Sequence, residues 1–187
     1  MRCLWLTLAD PEPKINGQLM YSGGLMQAVA AGGAELLAIG LDRHGENDSP
    51  PSARQNIRWQ LHRRHRHAAW RRLVSPLPNL ALYGASSAGR RAVDRALADE
   101  FWDTVVFDSI MSGWALRSVL RQRHRVGTLA YIAHNCETVA ARRVADAARG
   151  LRRLTKRLDA AKTDMLERRL LGETDFVAAD SLKIAKH

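Results

Sequence analysis

The sequence predicts an α/β protein built on a mostly parallel, doubly wound sheet with helices on both sides. Two observations carry this. Short apolar runs recur at Cys3 to Ala9, Glu35 to Leu41, Asp103 to Asp108 and Leu129 to Ala133, the pattern of strands buried on both faces. Between them lie segments whose apolar residues step by three and four, as helices packed on a sheet require. At 187 residues, 46% hydrophobic and 26% charged, the chain suits one domain with a real core, and these values exclude wholesale disorder.

After the first strand, Asp10 to Gln18 reads as a loop, from its prolines and the Asn16-Gly17 turn. Leu19 to Ala31 is helical, with Tyr21-Ser22-Gly23-Gly24 in its first turns and Gly32-Gly33 ending it. A glycine-bearing loop before a first helix can set backbone N–H groups against a phosphate, and Gly23 and Gly24 also permit close helix–sheet packing. The second strand, Glu35 to Leu41, completes a βαβ unit. Asp42 to Arg54, with Pro50-Pro51, is a surface loop, and Ile57 to Leu61 is a short strand.

Leu73 to Tyr83, interrupted by Pro76 and Pro78, reads as a connection and a short strand. Ser86 to Phe101 is helical, and Asp103 to Asp108 is a strand ending in a carboxylate, followed by a helix from Met111 to Arg123. Thr138 to Leu171 is helical with a break at Gly150, and Thr138 is placed to cap it. Leu151, Leu154, Leu158, Ala161 and Met165 form one apolar stripe, expected to be core packing. Thr174 to Ala179 is the last strand, and Ser181 opens a short helical stretch.

Composition bounds the partners. The net charge of +10 favours anionic ones: nucleic acid, acidic lipid headgroups or phosphorylated small molecules. The most basic segment, His62 to Arg72, carries Arg63, Arg64, Arg66, Arg71 and Arg72. It can dock on acidic headgroups with Trp70 at the interface, dock on phosphates, or be a solvated face. Two cysteines, Cys3 and Cys136, make no disulfide framework and no zinc pattern, and fit a reducing cytosol. The apolar start, Met1 to Ala9, is too short for a secretory signal, and no stretch approaches the ~20 apolar residues of a membrane span.

Chemistry concentrates at Tyr131 to Thr138. His134, Asn135 and Glu137 follow a buried strand directly, and in an open α/β sheet ligands bind beyond the carboxyl ends of strands. Asp108 and Ser109 end the neighbouring strand and are expected to line the same crevice. A bland reading makes Asn135 and Thr138 turn formers, Asp108 a helix cap and His134 a satisfied core histidine. The clustering of His, Asn and Glu favours a site.

The order of these pieces resembles the N-terminal half of bacterial family 4 glycosyltransferases, enzymes of the GT-B architecture with two Rossmann-like domains. The first strand with its loop to Asn16-Gly17-Gln18, the run Gly32 to Leu41, the runs Asp103 to Ser109 and Tyr131 to Thr138, and the closing Thr174 to Ser181 carry the resemblance over nearly the whole chain. It implies a three-layer Rossmann-like domain over residues 1–187, with the nucleotide-sugar domain and its paired glutamates absent from this chain. It implies that Asn16, Gly17 and Gln18 lie near the donor diphosphate and that His134 reaches the donor sugar. Asp108, Glu137, Asn135, Tyr21, Ser109 and the basic segment become acceptor-side candidates, with Glu137 or Asp108 as base. It further implies a sugar or lipid-linked acceptor, a retaining outcome, no cofactor or metal held by this domain alone, weak binding and no turnover in isolation. The expected location is cytoplasmic, at the inner face of the membrane where the basic segment touches anionic lipid.

Two rivals remain open. A basic nucleic-acid-binding or membrane-surface module without catalysis would use His62 to Arg72, though aromatics are only 6% and no nucleic-acid recognition motif is present. A cysteine hydrolase would use Cys136 with His134, which stand two residues apart without an evident orienting partner.

Overall fold

The computed structural model describes residues 1–11, 17–43, 57–65 and 67–179. Six strands form one parallel sheet: β1 (Arg2–Ala9), β2 (Glu35–Leu41), β3 (Ile57–His62), β4 (Trp102–Asp108), β5 (Val126–Ala133) and β6 (Phe176–Ala179). Their order is β3-β2-β1-β4-β5-β6. The direction of winding therefore reverses between β1 and β4, the point at which open α/β sheets bind ligands beyond the carboxyl ends of their strands. The α/β class and the parallel sheet expected from the sequence are both present, and every pairing between neighbouring strands is parallel.

The two faces are covered unequally. Helix α1 (Gly17–Ala31) lies over Cys3, Trp5, Leu36, Val106 and Ile132 through Met26 and its neighbours. The larger core lies on the opposite face, where α4 (Ser87–Asp99), α5 (Leu116–Arg121) and α7 (Leu151–Glu173) bury Leu4, Leu6, Phe107, Leu129 and Tyr131. Short helices α2 (Ala69–Val74) and α3 (Asn79–Gly84) precede α4, and α6 (Glu137–Ala147) packs against α7. Gly150, at φ 57, makes the expected break between α6 and α7 in a backbone region that other residues seldom occupy. In α1 a Cβ on Gly23 would stand 3.1 Å from the Pro11 ring, so this glycine seats the helix on the loop leaving β1, whereas Gly24 faces open space.

Three local expectations are corrected. Residues 79–84 are helical, not a strand: Ala81 and Leu82 turn inward while Leu80 and Tyr83 stay partly out, and a run this short fits either period. Thr138 does not cap α6. It is buried in the first turn with its hydroxyl unpartnered, and Glu167 of α7 supplies the cap, accepting the Glu137 and Thr138 N–H groups at 2.9 and 3.0 Å. The stripe of α7 is not core: Leu151, Leu154 and Leu158 are 82%, 63% and 43% exposed, and Met165 is also outside. The buried face of α7 is Ala160, Lys162, Thr163, Leu166, Glu167 and Leu170. Its polar members are all satisfied. Lys162 donates to the Arg72 and Leu73 carbonyls, closing the end of α2, and Thr163 donates to the Asp159 carbonyl. The helical stretch expected from Ser181 and most of the 42–54 loop lie outside the described residues. Among the described residues no helix is long and apolar enough to cross a membrane.

Candidate functional site

Sheet alternation builds the site. Side chains two apart on a strand share a face, so Trp5 and Thr7 on β1, and Asp108 at the end of β4, point toward α1. Val106 pairs with Trp5 across the β1–β4 ladder, and Asp108 with Ile132 across the β4–β5 ladder. His134, two beyond Ile132, completes the row. Asp108 is fully buried at the point of reversal and accepts four hydrogen bonds. Trp5 Nε1 and Thr7 Oγ1 each donate to Oδ2 at 3.0 Å, Ser22 Oγ donates to Oδ1 at 3.0 Å, and His134 Nε2 donates to Oδ1 at 2.6 Å.

A carboxylate accepts and cannot donate, so the pair fixes the proton of His134 on Nε2, and Nδ1 is the ring nitrogen that Asp108 does not engage, in a side chain only 5% exposed. Tyr21, in the first turns of α1, sets its ring edge-to-face with the imidazole at 5.5 Å between centroids. Sequence and topology thus bring together Asp108, His134 and Tyr21. The same helix begins at Gly17 and Gln18, whose N-terminal amides stand at the carboxyl edge of the sheet, where the helix dipole favours an anion. Asn16 lies outside the described residues.

Ser109 sits beside this row in a strained backbone. It is the one non-glycine residue at positive φ among those described, at φ 73, and costs on the order of 1–3 kcal/mol where it is not relieved. Four hydrogen bonds hold it: its N–H donates to the Ile132 carbonyl at 3.0 Å, its hydroxyl accepts from the Met111 N–H at 3.2 Å, and its carbonyl accepts from the Ser112 N–H and hydroxyl at 3.2 and 2.8 Å. Ser109, and not Asp108, therefore makes the turn into the 3-10 segment Ile110–Ala115.

Asn135 is exposed, and its amide approaches Glu137 Oε1 at 3.5 Å. Glu137 opens α6 with its carboxyl held above the usual carboxylate range. Burial is the main cause, opposed by the Asn135 amide, reinforced by Glu167 and opposed again by His134. An acid in the first turn of a helix is ordinarily favoured by the dipole; here desolvation prevails. The raised value means that the ionised Glu137 side chain weakens the fold above its folded pKa, and that this penalty disappears once pH falls below the unfolded value of about 4.3. Glu137→Gln is therefore expected to raise the thermal midpoint slightly at neutral pH, with the difference closing by about pH 4. Calorimetry of both proteins across that range checks it, and a lower midpoint for the variant at pH 7 would contradict it.

The basic segment is separate from this row. Arg63, Arg64, Arg71 and Arg72 are exposed, with Arg64 stacked over Tyr83 at 3.9 Å, and Arg66 lies outside the described residues. They follow β3, three strands from β4, which is roughly 14 Å across a sheet. His62 belongs to the fold instead. It is buried, its Nδ1 accepts from Ser86 Oγ at 2.9 Å, and burial lowers its pKa. Cys136 does not pair with His134. It lines a cleft of about 290 Å³ on the α7 side with Tyr131, Thr138 and Glu167, whereas His134 is turned to Asp108 on the α1 side.

Trp5, Thr7, Ser22 and Glu167 are the residues that sequence reasoning did not single out. The signal for the first two was present as a polar residue and an indole two apart in an otherwise aliphatic strand. Among the described residues no group of His, Cys, Asp and Glu is arranged to hold a metal ion.

No protein-family model matches the sequence, and no curated protein matches it significantly. Among solved structures, the chain is similar to sucrose-phosphate synthase from Thermosynechococcus elongatus, with a TM-score of 0.59 at 16% identity over 95% of this chain. This chain spans 41% of the length of that synthase. At such identity the likeness shows the fold alone: a Rossmann-like α/β architecture of the kind that forms one half of the GT-B fold.

Proposed function

We propose that this chain is the acceptor-side domain of a nucleotide-sugar-dependent glycosyltransferase and acts against a second, donor-binding domain. The observation that carries this reading is the Asp108–His134 pair at the point where the sheet reverses. The fold shared with a sucrose-phosphate synthase supports it. In transfer, the bond from the anomeric carbon to the nucleotide diphosphate breaks, and a bond from an acceptor hydroxyl oxygen to that carbon forms. The hydroxyl proton leaves to a base, and the diphosphate departs with the bonding electrons.

Each residue then has a role that its surroundings permit. His134 offers Nδ1 to a hydroxyl of the transferred sugar, and Asp108 is a positioning residue because four donors occupy its oxygens. Gly17 and Gln18, at the start of α1, face the departing diphosphate, whose charge the helix dipole favours, and Asn16, which precedes them in sequence, is proposed to join them. Glu137, Asn135, Ser109 and Tyr21 serve the acceptor, a sugar or a lipid-linked sugar. Glu137 is the better base, since burial raises its pKa toward neutrality and, unlike Asp108, its oxygens are not taken up by four donors. The nucleotide sugar is a substrate of the two domains together, and the stereochemical outcome is retention, at the cytoplasmic face of the membrane.

The test uses the native polypeptide that carries this chain, incubated with nucleotide sugars while nucleoside diphosphate release is followed. Donor-dependent release is expected, with His134→Ala lowering kcat by about 100-fold or more while circular dichroism shows that the variant, though less stable, is still folded at the assay temperature. The 187-residue chain alone is expected to release none. Failure of the native polypeptide to consume any nucleotide sugar, or wild-type turnover by His134→Ala, would contradict the proposal.

A further inference from the structure

The exposed stripe of α7 begins in a stretch, residues 149–158, whose charged side chains are all basic. Leu151, Leu154 and Leu158 stand outside at 82%, 63% and 43% exposure. Beside them are Arg152, Arg153, Lys156 and Arg157, and no acidic residue occurs between Arg149 and Leu158. Leaving three leucines in water on one helix face is a cost with no return unless something covers them.

A second helix adds to the same face. Lys162, one turn beyond Leu158, donates to the Arg72 and Leu73 carbonyls at 3.0 and 2.8 Å, which sets the end of α2 beside the stripe. The apolar side chains of α2 also point outward: Trp70, Leu73 and Val74 are 60%, 49% and 70% exposed. Their neighbours Arg71 and Arg72 are exposed as well, and from Ile57 to Pro78 the sequence has no acid. Two helices tied together through Lys162 thus each expose leucine, valine or tryptophan beside arginine.

We infer that this face, the first half of α7 with α2, docks the protein on an anionic lipid surface. The apolar residues enter the headgroup boundary while the arginines meet lipid phosphate, as an interfacial basic amphipathic helix does. Charge complementarity selects this occupant. A second copy of the chain would bring like charges together, and a nucleic acid has no use for exposed leucines between its phosphates. No described helix can span a bilayer, so the contact stays on one leaflet. The inference gives the membrane location proposed above a surface, and it can fail separately from the transferase reading because none of these residues belongs to the Asp108–His134 row.

The test is co-sedimentation of the 187-residue chain with vesicles of equimolar phosphatidylglycerol and phosphatidylcholine, set against vesicles of phosphatidylcholine alone. Binding to the anionic vesicles only is expected. Leu151→Ser/Leu154→Ser/Leu158→Ser, which leaves every charge in place, is expected to weaken it roughly 10- to 100-fold. Arg152→Gln/Arg157→Gln is expected to weaken it roughly 25-fold. Circular dichroism and the thermal midpoint confirm that both variants fold, as the exposure of the substituted side chains requires. Equal binding to neutral vesicles, no binding to either, or full binding by the leucine variant would each overturn the inference. So would a dimer, seen by sedimentation velocity, that the leucine substitutions dissolve. Displacement of the chain from vesicles by duplex DNA, with DNA affinity untouched by the leucine substitutions, would assign the face to nucleic acid and overturn it too.

Discussion

Asp108→Ala is expected to unfold more of this protein's stability than any other single substitution at the site, by about 3–5 kcal/mol. The carboxylate is fully buried and satisfies donors from three separate elements: Trp5 and Thr7 on β1, Ser22 on α1, and His134 beyond β5. Removing it strands four donors in a dry region and lets go of the junction between β1, α1 and β5 together. Asp108→Asn keeps the shape but replaces one accepting oxygen with an amide that donates, so it should recover roughly half of the loss. Urea unfolding of the three proteins checks the order. An alanine variant within about 1 kcal/mol of wild type would mean that the network contributes little.

Glu167→Ala carries the second largest effect. The carboxylate reaches from α7 to the start of α6, accepts two backbone N–H groups there, and is itself buried. No side chain within α6 caps that end. The alanine therefore removes a helix cap and a tie between helices at once, for an expected loss of about 2–4 kcal/mol. Amide hydrogen exchange gives a local signature. The Glu137 and Thr138 amides should lose protection before the amides of β5 do, and unchanged protection at those two positions would contradict the assignment. Because Glu137 stands at this end of α6, the same substitution should loosen Asn135 and Glu137 without touching His134.

The parallel sheet was legible because strands buried on both faces have no choice of composition. Cys3 to Ala9, Glu35 to Leu41 and Leu129 to Ala133 read as they fold, since a polar residue anywhere in them would need a buried partner. The 79–84 segment was not legible for the opposite reason: a short run between prolines satisfies either period, and packing of Ala81 and Leu82 decides. Helix α7 was read on the wrong face. Two stripes run along it, and the more apolar one, from Leu151 to Met165, stays outside. The inner face includes Lys162, Thr163 and Glu167, whose burial depends on partners on α2, in the preceding turn of α7, and on α6. A sequence pattern reports how apolar a face is, not which donors and acceptors await it.

The candidate site divides along the same line. His134 and Asp108 were visible as polar residues at strand ends, and their pairing follows once β4 and β5 lie side by side. Trp5, Thr7 and Ser22 stand 86 to 103 residues from Asp108. Register and the seating of α1 bring them to it, and neither is written in local sequence. The basic segment shows the converse. It was the most conspicuous stretch in the chain, yet it stands three strands away from the row that holds His134.

The central claim is that the crevice beside Asp108 and His134 receives a sugar. Nuclear magnetic resonance of the isotopically labelled 187-residue chain, titrated with nucleotide sugars and with candidate acceptor sugars at millimolar concentration, tests this without requiring turnover. One of these ligands is expected to shift His134, Asn135, Ser109 and Tyr21 together, to move the Gly17 and Gln18 amides when it carries a diphosphate, and to lose its effect in His134→Ala. Shifts confined to the basic segment, or none at the Asp108–His134 row with any of these sugars, would contradict the account.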